Sequence, residues 1–147
     1  MRNIRRNVFE SNSSSVHSLT FAKSGREKSH LPMKDGYILT DFGEFDRGYR
    51  IYDDQESKLS YLVTLIYYTS GLEYKRVYDN YYFEMLQEAI CKYTGAKGVK
   101  ILCKKEPYID HQSVPDYGDI NIINMYDDDA IIDFVFNKYI SLKTDCD

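Results

Sequence analysis

The residues of this chain that can do chemistry fall into two short polar blocks. The first is Glu10-Ser-Asn-Ser-Ser-Ser-Val-His-Ser18, preceded by Arg2, Arg5 and Arg6. Small hydroxyls with an Asn supply many donors and expose backbone N–H groups, which suits a phosphate or another oxyanion. Arg5 and Arg6 can grip that phosphate through paired guanidinium bonds, while Ser13, Ser14 and Ser15 orient it. A flexible serine-rich turn leading into a strand accounts for the same composition, and composition alone does not separate the two.

The second block is Asp110-His-Gln-Ser113. The chain has 3 histidines, His17, His30 and His111, and two of them sit in the two blocks. His17 and His111 facing one phosphodiester can act as general base and general acid, each worth roughly 10²- to 10⁴-fold. Asp110 beside His111 can fix its tautomer or raise its pKa, and Gln112 and Ser113 add polar contacts to substrate. Attack by a 2′-hydroxyl needs such a pair and no metal, which points to RNA as substrate and to a metal-independent ribonuclease. A lone histidine is more often a structural residue, and spacing does not show that these two meet.

Other chemistries find less support. Asp110, Asp116, Asp119 and Asp127 to Asp129 supply carboxylates, but their spacing fits neither a calcium loop nor a zinc helix. Phosphate-binding glycine loops, dinucleotide fingerprints and nucleophile elbows are absent from the sequence. No metal or other cofactor is expected. Cys91, Cys103 and Cys146 are odd in number and scattered, and read as reduced thiols.

The elements that must position the blocks are read from periodicity. Val16 to Phe21 alternates as a strand, Ser24 to Gly36 reads as a loop, and Gly36 to Thr40 as a second strand. Phe42 to Tyr52 reads as an irregular connection. Asp53 or Asp54 can cap a helix carrying Leu59, Leu62, Val63 and Ile66 on one stripe, with Gly71 as its stop. A second helix is expected from Asp79 to Tyr93, with Tyr82, Leu86, Ala89, Ile90 and Tyr93 on one face and Gly95 past its end. Gly98 to Cys103 is the clearest later strand. Tyr108 to Val114, between Pro107 and Pro115, reads as too polar for core, and Ile120 to Met125 as another short strand. Asp127, Asp128 and Asp129 suit a helix start, followed by an apolar face of Ile132, Val135, Phe136 and Tyr139, although the Ile-Ile-Asp-Phe-Val-Phe run also fits a strand.

Strands on both sides of a helical pair give an α+β fold, with short strands forming a sheet packed on two or three helices. The 147 residues suffice for one such domain, spanning 1–147. Apolar residues at 43% and charged residues at 29% exclude wholesale disorder. No run approaches the roughly 18–20 apolar residues of a membrane span, and the basic N-terminus lacks the apolar core of a signal peptide. A cytoplasmic protein without membrane attachment is expected.

The net charge of −4 hides an asymmetry. Residues 1–30 carry six basic against two acidic side chains, whereas residues 116–147 carry eight aspartates against two lysines. A basic head can neutralise phosphates; an acidic tail can occupy a basic protein groove. The 15 tyrosines fall partly in clusters such as Tyr67-Tyr68 and Tyr81-Tyr82. Without basic residues interleaved, they read as core-edge residues rather than base-stacking platforms.

Arg5-Arg-Asn-Val-Phe-Glu-Ser-Asn-Ser-Ser-Ser-Val-His-Ser18 resembles the opening block of a family of small proteins encoded by phages and mobile elements of Gram-positive bacteria. The usual family form has Thr where this chain has Ser11. Ile109-Asp-His-Gln-Ser113 is similar to a downstream block of the same family, and the two together cover under a fifth of the chain. Some proteins of this kind are associated with inhibition of type II CRISPR systems. The resemblance implies an anti-defence protein whose partner is a CRISPR effector nuclease or its guide RNA, with Ser13, Ser14, Ser15, His17 and Asp110 to Ser113 as the positions carried over.

Three readings follow. In the first, the polar blocks form one Ser/His site acting on guide RNA. In the second, the chain is a non-enzymatic acidic mimic whose aspartates, especially Asp127 to Asp129, imitate phosphates in a basic groove of a nuclease effector. In the third, the blocks are only turns in a phage protein of unrelated role.

Overall fold

The computed structural model describes residues 25–45, 50–109 and 126–144. The strands expected over Val16–Phe21 and Ile120–Met125 lie outside the described residues.

Three capped helices make the frame. The first, α1, spans Gln55–Thr69; Asp54, in extended conformation, accepts from the Ser57 N–H at 2.9 Å, and the helix gives way to Gly71 at φ 74°. A one-turn helix, α2, follows at Tyr74–Val77 and was not evident from periodicity. The next, α3, spans Tyr81–Thr94; Asn80 accepts from the Tyr82 N–H at 2.8 Å, and left-handed Gly95 ends it. The last, α4, spans Asp128–Phe136, with Asp127 accepting from the Asp129 N–H at 3.0 Å. The ambiguous Ile131–Phe136 run is therefore helix.

The apolar stripes differ in width from expectation. Not only the Leu59 stripe but every residue from Tyr61 to Ile66 is buried, and so is every residue of α4 from Ala130 to Phe136. Helices apolar all round occupy the centre of a fold; here α3 and the strands wrap them. On α3 the buried face is Phe83, Leu86, Ala89 and Ile90, whereas Tyr93 is 37% exposed and stacks its ring on Phe136.

Among the described residues, seven short strands form three small sheets. The first, β1 (Met33–Lys34), pairs antiparallel with β2 (Tyr37–Thr40), and β2 pairs parallel with β5 (Gly98–Ile101). Asp35 and Gly36, at φ 55° and 86°, form the two-residue turn between β1 and β2, a geometry that Asp-Gly supports. The outer edge of β5 is covered by side chains: Gln87 Oε1 accepts from the Val99 N–H and the Tyr78 hydroxyl from the Ile101 N–H, both at 2.8 Å. An edge so covered cannot recruit another strand.

The second sheet pairs β3 (Glu44–Phe45) in parallel with β6 (Tyr108–Ile109), and the third pairs β4 (Arg50–Tyr52) antiparallel with β7 (Leu142–Thr144). Three expectations are corrected here. The loop over 24–36 contains β1, the irregular connection over 42–52 contains β3 and β4, and Ile109, in the segment read as too polar for core, is fully buried. The α+β class holds, with the sheet divided into three pieces.

One buried cation joins α1 to the far end of α4. Lys58 is 1% exposed, and its Nζ donates to the carbonyls of Asn137 at 3.0 Å and Ile140 at 2.7 Å. Burial pushes its pKa from 10.5 down to about 8, against the attraction of Asp53, Asp54 and Glu27. The unfolded chain keeps the proton up to its ordinary pKa, so stability is fully present above that value and falls as pH drops through 8. Relative to Lys58→Met, the parent should gain on the order of 3 kcal/mol between about pH 7 and about pH 10.5. Urea unfolding of both proteins at each pH measures the difference; a gap that does not vary with pH would mean that the ammonium is not desolvated.

Candidate functional site

Every site residue selected from the sequence lies outside the described residues: Arg5, Arg6, Ser13, Ser14, Ser15, His17, Asp110, His111, Gln112 and Ser113. The structure does describe the point of the core at which each block joins.

Gly25 follows the first block. Its carbonyl accepts from the Lys138 N–H at 2.9 Å, and a Cβ there would collide with the Asn137 side chain. The next residue is held twice by α4: Arg26 Nε donates to Asp133 Oδ1 at 2.7 Å, and Nη2 reaches Asp129 Oδ1 at 3.2 Å. The Asp133 side chain is 4% exposed, so this pair is a fixed anchor rather than a screened surface contact. Bonding to Asp133 holds the guanidinium pKa above its ordinary value.

Ile109 precedes the second block. It pairs with Phe45 across β3 and β6, and its N–H donates to the Tyr68 hydroxyl at 3.3 Å. The Phe45 ring meets the Tyr61 ring edge-on at 5.1 Å. Tyr61 lies one turn from Lys58 on α1, and Lys58 in turn holds Asn137 beside Gly25. Gly25 and Arg26 are thus held to α4, which Lys58 ties to α1, and Ile109 is held to α1 at Tyr68.

The third histidine belongs to a pocket that sequence reasoning missed. A cavity of about 240 Å³ is lined by His30, Gln55, Lys58 and the carboxylates of Glu27, Asp53, Asp54 and Glu56. Gln55 clamps its wall, accepting from the His30 N–H at 2.6 Å and donating to the Lys28 carbonyl at 2.9 Å. The available signal was a pair of polar residues, Gln55 and Lys58, at i and i+3 on a buried helix face. Carboxylates dominate the rim, and two of the three Lys58 protons are committed to carbonyls, so the pocket repels an anion.

Other candidate groups are occupied by the fold. Asp127 caps α4, Asp128 pairs with Lys92 at 2.8 Å, and Asp129 pairs with Arg26. A phosphate mimic needs carboxylates turned to a partner; these three have tasks at the helix start. Cys91 and Cys103 are free thiols whose pKa values burial raises, so neither is an activated nucleophile at neutral pH. The Tyr67-Tyr68 pair packs with Phe42 and Tyr74 at ring separations of 5.3–5.5 Å, as core-edge residues do. Among the described residues no group of three or more His, Cys, Asp or Glu is placed to hold a metal, and no helix is long and apolar enough to cross a membrane.

Replacing Asp127, Asp128 and Asp129 together by Asn tests their role. Asn caps a helix nearly as well as Asp, but two ion pairs and the favourable interaction with the helix dipole are lost. The variant should melt a few degrees lower and keep any inhibitory activity of the parent. Unchanged melting with lost inhibition would identify the aspartates as a phosphate mimic instead. Compared with family models, curated proteins and solved structures, the chain matches none.

Proposed function

We propose that this chain is an anti-defence protein of a phage or mobile element, working in the bacterial cytoplasm on the guide RNA of a type II CRISPR effector. The observation that carries the reading is the Glu10–Ser18 block: a dense serine run behind arginines, ending in one of only 3 histidines. The resemblance of that block and of Ile109–Ser113 to phage-borne proteins supplies the biological setting. The described residues nearest the two blocks, Gly25 and Ile109, are held to α4 and α1, two helices joined through Lys58, which supports one shared site.

In this site Arg5 and Arg6 hold a phosphate, and Ser13, Ser14, Ser15, Gln112 and Ser113 orient it. One histidine of His17 and His111 takes the proton of a 2′-hydroxyl. The 2′-oxygen bonds to phosphorus, the bond to the 5′-oxygen breaks, and the other histidine gives that oxygen a proton. Asp110 keeps the His111 ring in the tautomer required. The products are a 2′,3′-cyclic phosphate and a 5′-hydroxyl, and the two histidines exchange states with no net proton consumed.

Purified protein incubated with a guide-RNA effector complex should shorten the RNA and block target cleavage. His17→Ala and His111→Ala should each lose on the order of 10²-fold or more in rate while melting like the parent. The parent rate should fall on both sides of a pH optimum and survive EDTA. Loss of inhibition without RNA shortening would make the blocks a binding site, and activity abolished by EDTA would reassign the chemistry to carboxylate-held metal. Both histidine variants acting like the parent would overturn the reading.

A further inference from the structure

The three-stranded sheet β1-β2-β5 buries only one face. Ile38, Val99 and Ile101 point into the core against the helices, so the intervening residues of each strand occupy the opposite face. Register places Lys34 beside Tyr37, Tyr37 beside Gly98, and Leu39 beside Lys100 on that outer face. Lys34 and Lys100 are exposed, and Tyr37 and Leu39 are half-buried.

The charge of this face contrasts with the chain as a whole. Lys100 Nζ lies 5.0 Å from the centre of the Tyr37 ring. Among the described residues no ion pair engages Lys34 or Lys100. Two ammonium groups thus flank one tyrosine on this face, in a protein of net charge −4. Leu39 also lines a groove of about 540 Å³, which holds Lys104 and Lys105 together with Asp41, Glu44, Asp54 and Glu56.

From this arrangement we infer that the outer face of β1-β2-β5 is a binding surface for single-stranded RNA, with Lys34 and Lys100 on phosphates and Tyr37 stacked on a base. Charge complementarity selects a polyanion, and the aromatic ring among the lysines selects one with bases. A base stacks on a side chain only where it is unpaired and splayed out, which selects a single strand over a duplex. Gly98 beside Tyr37 leaves the ring without a bulky neighbour across the strands, its missing Cβ being 3.0 Å from Tyr37 Cε1. This surface deepens the proposed function and rests on it for the identity of the RNA; it is separate from the residues assigned to the reaction.

Fluorescence anisotropy of a labelled oligouridylate with the full chain tests the surface independently of cleavage. Lys34→Gln combined with Lys100→Gln should weaken binding at least ten-fold and reduce the slope of log K against log salt by about 1.4, roughly 0.7 per phosphate contact removed. Tyr37→Leu should weaken binding roughly five- to hundred-fold, as loss of one stacked base does, and Tyr37→Phe should restore it. Matched melting curves confirm that each variant folds. Variants that bind like the parent overturn the inference, whatever the cleavage assay shows. So does equal binding of polyglutamate with no effect of Tyr37→Leu, which would mark a surface for acidic protein. RNA bound through this face but never cut would uphold the surface and defeat the catalytic reading.

Discussion

The Lys58 ammonium is the constraint on which the arrangement of α1 and α4 depends. A charged group 1% exposed must be hydrogen-bonded where it lies, and only the carbonyls at the end of α4 serve it. Those carbonyls in turn need a donor, because the chain leaves the helix at Asn137 in extended conformation, with φ −90° and ψ 118°. Rotating α1 by one residue would move the cation into apolar surroundings and orphan both acceptors. The bond therefore fixes register as well as distance, at a desolvation cost that an apolar residue would avoid.

Around that bond the chain brings distant segments together. Residues 25–27 lie against 136–138 through the Lys138 N–H to Gly25 and the Glu27 N–H to Phe136, both at 2.9 Å. Arg26 adds its bond to Asp133, and the buried Asn137 side chain accepts from the Tyr139 N–H at 3.0 Å. At the other end of α1, parallel pairing of 37–45 with 98–109 carries the chain from β2 and β5 to β3 and β6. Three extra residues are absorbed between these two pairings, where Cys103 takes a φ of 59°. Through Lys58 and Tyr68, α1 thus links the described segments nearest the two blocks in sequence, 25–27 by way of α4 and Ile109 directly.

What was legible in the sequence was local. Asp54 and Asp127 as caps and Gly71 and Gly95 as stops are read within a turn of the residues they serve, and the three long helices followed from them. Strands of two to four residues were less so, because pairing between Phe45 and Ile109 or between Ile51 and Lys143 depends on partners tens of residues away. Ile109 was misread because its neighbours are polar, and burial is decided by what lies across the sheet. Lys58 broke its stripe for a reason only tertiary structure supplies. The blocks themselves were visible as composition and lie outside the described residues.

Charge shows the same difference between order along the chain and order in space. Along the chain the head is basic and the tail acidic, which invites a picture of a free negative tail. In the fold Asp128, Asp129 and Asp133 are matched by Lys92 and Arg26, so much of that negative charge is spent internally. Among the described residues, Lys34 of β1 and Lys100 of β5 carry no ion pair, and neither is part of a charge run. Parallel pairing of β2 with β5 is what gathers them, because it places residue 39 beside residue 100 on one face. A net charge of −4 is therefore compatible with a locally positive surface, whose place is decided by strand register rather than by composition.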